Sequence, residues 1–154
     1  MRVILPGSYD PITLGHLEII KKASETYGEV YVAVFINPEK KYMFSIADRV
    51  RMIALATEEL PNVRVASSDG YVVDYMRENG IEKIIKGYRN DTDLEYEMRQ
   101  AKYNFEKGGY ETELLKCGEA FSDISSTRAR ELIENGGDLS EILPKKVIAF
   151  IRNH

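Results

Sequence analysis

The sequence predicts an α/β fold built on a doubly wound, five-stranded parallel sheet, and three observations carry that expectation. Short apolar, β-branched runs recur along the chain. Longer segments with helical periodicity lie between them, so strand and helix alternate from end to end. The runs are short and largely apolar throughout, as in sheets covered by helices on both faces.

The runs fall at residues 2–5, 30–36, 63–66, 82–86 and 112–116. After the first, Leu17, Ile20, Ser24 and Tyr27 share one helix face. After the second, Ile46, Val50, Ile53, Ala54 and Thr57 do the same, and Ser45 with Asp48 makes a capping-box-like start. No repeat, linker or low-complexity tract interrupts the alternation, so residues 1–154 read as one domain. In such sheets ligands bind beyond the C-terminal ends of the strands. The segments that follow each run are therefore where chemistry is expected.

Bulk properties narrow the function classes. A formal charge of −4 argues against a general nucleic-acid binder, which wants a basic field. Cys117 is the only cysteine, so neither an intrachain disulfide nor a CxxC metal site exists, and a reducing cytoplasm is the expected compartment. The one apolar run at the N-terminus is too short for a signal peptide or a membrane span.

The segment after the first run reads Gly7-Ser8-Tyr9-Asp10-Pro11-Ile12-Thr13-Leu14-Gly15-His16. It is neither GxxxxGK[ST] nor GxGxxG, which disfavours a P-loop enzyme and a dinucleotide-binding domain. It offers two glycines for close backbone approach, the Ser8 hydroxyl, and Thr13 and His16 three apart at a helix start. Such a pair can face one anion, helped by free N–H groups of the first turn. A lone histidine on a helix is more often a surface residue. Here, however, the only other one is the terminal His154, so imidazole chemistry would have to use His16.

The remaining segments are also rich in cations. Asn37-Pro38-Glu39-Lys40-Lys41-Tyr42-Met43-Phe44 follows the second run, and its lysines read either as solvated surface or as a phosphate clamp. Val72 and Val73 follow the third run and read as core on their own. The fourth run ends in Lys86-Gly87-Tyr88-Arg89-Asn90-Asp91-Thr92-Asp93-Leu94-Glu95-Tyr96-Glu97. A cation at a buried strand end needs an anionic ligand or a carboxylate, and Arg89 is spaced to pair with Asp93 or Glu97. Lys40 and Lys86 have no obvious local acidic partner. Phe121-Ser122-Asp123-Ile124-Ser125-Ser126-Thr127-Arg128-Ala129-Arg130 precedes a helical run, where Ser/Ser/Thr serves as an N-cap or, with two arginines, as a polyphosphate site.

Together these segments resemble the nucleotidyltransferase superfamily in its phosphopantetheine adenylyltransferase form. The first matches the H/T-x-G-H signature, with Thr13 in place of the histidine that the nicotinate and nicotinamide mononucleotide branches carry. The second is similar to that family's Asn-Pro-x-Lys-Lys-x-Met-Phe loop and the fourth to its Arg-Gly-x-Arg-x-x-x-Asp-Phe-x-Tyr-Glu block. The last is similar to Ile-Ser-Ser-Ser/Thr, although the threonine followed by arginine also resembles the nicotinamide mononucleotide branch. Lys86 departs from the usual Arg and Leu94 from Phe.

The resemblance implies a Rossmann-like nucleotidyltransferase fold and transfer of the adenylyl group of ATP to 4′-phosphopantetheine. It implies His16 as the catalytic residue and Ser8, Lys40, Val72 and Lys86 as contacts to the acceptor. ATP would be held by Ser8, Tyr9, His16, Gly87, Tyr88, Arg89, Glu97, Phe121, Ser122, Asp123, Ile124, Ser125, Ser126 and Thr127. Mg²⁺ on the triphosphate and a homohexameric assembly follow from the same source. A non-catalytic nucleotide-binding module and a flavodoxin-like electron carrier are the readings from other classes. The joint presence of His16, Lys40 and Arg89 disfavours the first; strand-end cations and the lack of Trp disfavour the second.

Overall fold

Strand and helix alternate as the apolar runs require. A computed structural model describes all residues, 1–154. The elements are β1 (Arg2–Gly7), α1 (Leu14–Thr26), β2 (Glu29–Phe35), α2 (Ile46–Ala56), β3 (Val63–Ser68), α3 (Val72–Asn79), β4 (Lys83–Tyr88), α4 (Asp91–Gly108) and β5 (Glu111–Lys116). A short 3₁₀ turn, Glu119–Phe121, leads into α5 (Ser126–Asn135) and α6 (Lys145–Arg152). The five strands form one all-parallel sheet in the order β3-β2-β1-β4-β5.

The two faces follow from side-chain alternation along the strands. Val3, Leu5, Val30, Val32, Val34 and Ile85 pack with α1, α2, α5 and α6 into the larger core, which includes Ile19, Ile20, Met52, Ile53, Ala129 and Val147. Ile4, Ala33 and Ile84 point the other way and pack with Met76 of α3 and Ile81. Chain order runs outward from β1 through β2 to β3, then returns to β4 on the far side of β1. The strand order therefore reverses between β1 and β4, and the two C-terminal ends diverge there to leave a crevice.

Both expected helix stripes are rotated from the sequence reading. In α1 the buried residues are Leu17, Ile19, Ile20 and Ala23, not Ser24, and Tyr27 is the C-cap. In α2 they are Arg49, Met52 and Ile53, while Ile46 is exposed. A buried arginine takes a place that hydrophobic periodicity gives to an apolar side chain. The Ser45 cap forms as expected, its side chain accepting from the Asp48 N–H at 3.1 Å.

Candidate active site at the sheet switch point

A cavity of about 620 Å³ opens above the ends of β1 and β4. Its floor is Leu5, Pro6, Ile85 and Lys86. One wall is the start of α1, another is one face of α4, and the segment leading into α5 closes the third side.

His16 is fixed from both sides. Thr13 is the N-cap of α1, and its side chain accepts from the His16 N–H at 3.3 Å. Nδ1 of His16 accepts in return from the Thr13 N–H at 3.0 Å, completing a capping box with histidine in the place usually held by Glu or Gln. With Nδ1 an acceptor, the neutral ring carries its proton on Nε2, the nitrogen left for the cavity. Burial, then the positive charges of Lys86 and Arg89, lower its pKa to about 4. His16 is therefore a neutral hydrogen-bond donor at physiological pH.

Beside it, Tyr9 is 6% exposed and has a φ of 48°, a left-handed conformation that bulky side chains seldom adopt. Its ring lies 4.9 Å from the imidazole, centroid to centroid, and its hydroxyl donates to the Leu5 carbonyl at 2.9 Å. Gly7 leaves room under this ring, because a Cβ there would stand 3.1 Å from it, a tight approach. Burial and the Glu97 charge raise the Tyr9 pKa, so the phenol stays protonated.

The β4 cations enter from the opposite wall. Lys86 donates from Nζ to the Pro6 carbonyl at 3.1 Å and lies 3.5 Å from Oε2 of Glu97. That oxygen is buried and has no hydrogen-bond partner. Burial raises the Glu97 pKa and the Lys86 charge opposes the rise. Arg89 pairs with Asp93, Nε to Oδ2 at 2.8 Å and Nη2 to Oδ1 at 3.3 Å, and the pairing lowers the Asp93 pKa against the opposing effect of burial. Both cavity carboxylates are thus engaged by cations. No group of three or more His, Cys, Asp and Glu side chains converges here or elsewhere to hold a metal ion.

The α5 segment meets the cavity with Ile124, Ser125 and Ser126. Ser125 is the N-cap, accepting from the Arg128 N–H at 3.0 Å, and Ser126 donates to the Pro11 carbonyl at 2.9 Å.

The family model for cytidylyltransferase-like proteins matches residues 4–132. The chain belongs to that family. Among solved structures, a Vibrio parahaemolyticus protein provisionally assigned as a nicotinate-nucleotide adenylyltransferase superposes with a TM-score of 0.72. The match covers 99% of this chain and 91% of that one at 17% identity, and at that identity it speaks for the fold. Family membership supports nucleotidyl transfer as the reaction class.

Most residues singled out in the sequence converge on it: Ser8, Tyr9, His16, Lys86, Gly87, Tyr88, Arg89, Glu97, Ile124, Ser125 and Ser126 all line the cavity. Others do not. Lys40 is exposed on the segment after β2, away from the cavity lining, so it and Lys86 do not form one site in this conformation. Val72 packs with the smaller core at the start of α3. Phe121, Ser122, Asp123 and Thr127 also lie off the lining; Thr127 accepts from Arg130 at 3.2 Å.

Two local expectations change and one open choice closes. Lys86 does have an acidic neighbour, Glu97, which comes from eleven residues further along the chain through the α4 fold-back. Of the two partners its spacing allowed, Arg89 takes Asp93. Thr13 is spent on the helix cap, and the Leu14 N–H on the Ile142 carbonyl at 2.8 Å, so the first turn of α1 is not the open anion site its sequence suggests. Sequence reading also passed over Thr92, Tyr96 and Arg99 as cavity residues. Their helical spacing around Asp93 and Glu97 was the available signal, since 92, 93, 96 and 97 share one face.

Proposed function

We propose that this chain transfers the adenylyl group of ATP to 4′-phosphopantetheine, giving dephospho-coenzyme A and pyrophosphate, as a step of coenzyme A biosynthesis. The observation that carries the reaction class is the neutral, capped His16, whose free Nε2–H shares one cavity with Lys86 and Arg89. The acceptor class rests on the motif resemblance, above all Thr13 in the signature and the Lys86–Glu97 block.

The reaction needs no protein nucleophile. A phosphate oxygen of the acceptor attacks the α-phosphorus of ATP, the new P–O bond forms, and the bond to the β-phosphate breaks to release pyrophosphate. The protein's work is orientation and charge stabilisation. His16 donates to an α-phosphate oxygen as its charge grows. Lys86 orients the acceptor phosphate. Arg89, Glu97 and the Ser125–Ser126 turn hold the nucleotide, with Tyr9, Gly87 and Tyr88 beside it. Mg²⁺ arrives as part of the substrate, Mg-ATP. By the same resemblance the protein is a homohexamer, which sedimentation equilibrium tests, and its single cysteine suits a reducing cytoplasm. No helix is long and apolar enough to cross a membrane.

A second reading, a mononucleotide acceptor, is favoured by the Vibrio neighbour's assignment and by the threonine–arginine ending of the α5 motif. Pyrophosphate release from Mg-ATP with each acceptor in turn, with mass-spectrometric identification of the product, separates them. Release with phosphopantetheine and a dephospho-coenzyme A mass is expected. Release with nicotinate or nicotinamide mononucleotide alone would replace the proposed acceptor, and release with none would overturn the activity.

A further inference from the structure

Arg49 is the largest fully buried side chain of the protein, 2% exposed, and it has no carboxylate partner. Its guanidinium instead spans two loops. Nε donates to the Phe44 carbonyl at 3.1 Å, Nη1 donates to the Ser8 carbonyl at 3.0 Å, and the group stacks 4.0 Å over the Tyr42 ring. An apolar side chain of similar volume would fill this space without the desolvation cost of a buried charge. What the guanidinium adds is direction, because it holds two carbonyls from separate segments at a fixed spacing.

The residue next to Ser8 is the strained Tyr9, and its other neighbour is held just as firmly. The Asp10 carbonyl accepts from Nη1 of Arg130 at 2.9 Å. The buried Asp10 carboxylate accepts from the Met43 and Phe44 N–H groups, each at 2.9 Å. Both groups of Phe44 are therefore gripped, its N–H by Asp10 and its carbonyl by Arg49. Strained backbone persists only where its surroundings over-determine it, and here they do so on both sides of Tyr9. In this conformation the Tyr9 ring lies against the His16 imidazole.

We propose that Arg49, which does not line the cavity, is a positioning residue for the transfer reaction, acting through the Ser8–Asp10 turn to set the Tyr9 ring against the His16 imidazole. Its kinetic consequence rests on the function proposed above; its effect on His16 does not.

The test uses the full chain with Arg49→Lys, which keeps the charge but cannot reach both carbonyls. A second variant, Asp10→Asn, releases the same turn from the other side by turning an amide nitrogen toward one of the two N–H groups. The ring titration of His16 is followed by NMR, with His154, the only other histidine, as an internal reference. Both variants should bring the His16 titration to higher pH than in the parent, leave His154 unchanged, and lower kcat at least tenfold with KM for either substrate within threefold. A lowered melting temperature with His16 titration and kcat unchanged in both variants would make Arg49 merely structural and overturn the proposal. Should the parent turn over none of the acceptors, the transfer assignment falls, and the His16 titration alone still decides whether Arg49 acts on His16.

Discussion

His16 caps α1 through Nδ1 and leaves Nε2 to the cavity, and substitutions can separate the two. Glutamine supplies the acceptor a capping box needs at this position but no imidazole donor. His16→Gln should therefore melt close to the parent while turnover falls ~10²–10³-fold, the usual cost of one preorganised donor to a developing anion. His16→Ala loses the cap as well and should be less stable by about 1 kcal/mol. Paired melting and turnover measurements check both; retained turnover in His16→Gln would remove the imidazole from the mechanism. The same residue makes stability pH-dependent. The unfolded chain takes up a proton at His16 near its ordinary 6.5, whereas the folded chain resists until about 4. Native stability is thus lost as pH falls through that window, and none of the loss occurs above it. Melting curves from pH 7.5 to 4.5 should fall less steeply for His16→Gln than for the parent. Arg89 is simpler. Its pair with Asp93 is about one-third exposed and worth at most ~1 kcal/mol, so Arg89→Lys should leave melting almost unchanged. Loss of its bidentate fork should still weaken ATP binding several-fold by calorimetry.

At the scale of elements, the cavity depends on how closely β4 passes α1. Gly87 makes that approach possible: a Cβ there would stand 2.7 Å from Cγ1 of Ile19, well inside contact distance. Gly87→Ala should destabilise by ~1–3 kcal/mol through overpacking. Adding Ile19→Ala removes the clashing atom, so the double variant should be more stable than the sum of the two single losses. Strict additivity in denaturant titrations would mean the clash is absorbed elsewhere. The sequence marked Gly87 by its motif, but the reason for a glycine there is visible only in the packing. The strands were all legible from their apolar runs, each within two residues or fewer at either end. The helix stripes were less so. Arg49 on the buried face of α2 looks like a solvent-facing residue, because periodicity records hydrophobicity and not the carbonyls a side chain will meet after folding.

Across the whole molecule, the site draws on β1, α1, β4, α4 and the α5 start at once, so a ligand that bridges them should stabilise the fold as a unit. Mg-ATP at a hundred times its dissociation constant should add ~2.7 kcal/mol to unfolding. A thermal shift series with ATP would show this, and a flat series would count against nucleotide binding here. Alternating periodicity was enough to determine the α/β class, the five strands and the rule that places function after them, because these follow from local patterning and the handedness of the chain. Residue chemistry also marked His16, Lys86, Arg89 and Ser125 before any contact was known. Which partners those residues take was decided only by the tertiary structure. Glu97 reaches Lys86, Asp93 captures Arg89, Thr13 turns inward to cap α1, and Lys40 stays outside the cavity, because each outcome depends on distances set by how the backbone folds back and packs. Burial then converts those distances into chemistry. The histidine that the sequence offers as an unperturbed imidazole is desolvated beside two cations and held as a neutral donor, a state set by its surroundings rather than by its neighbours in the chain.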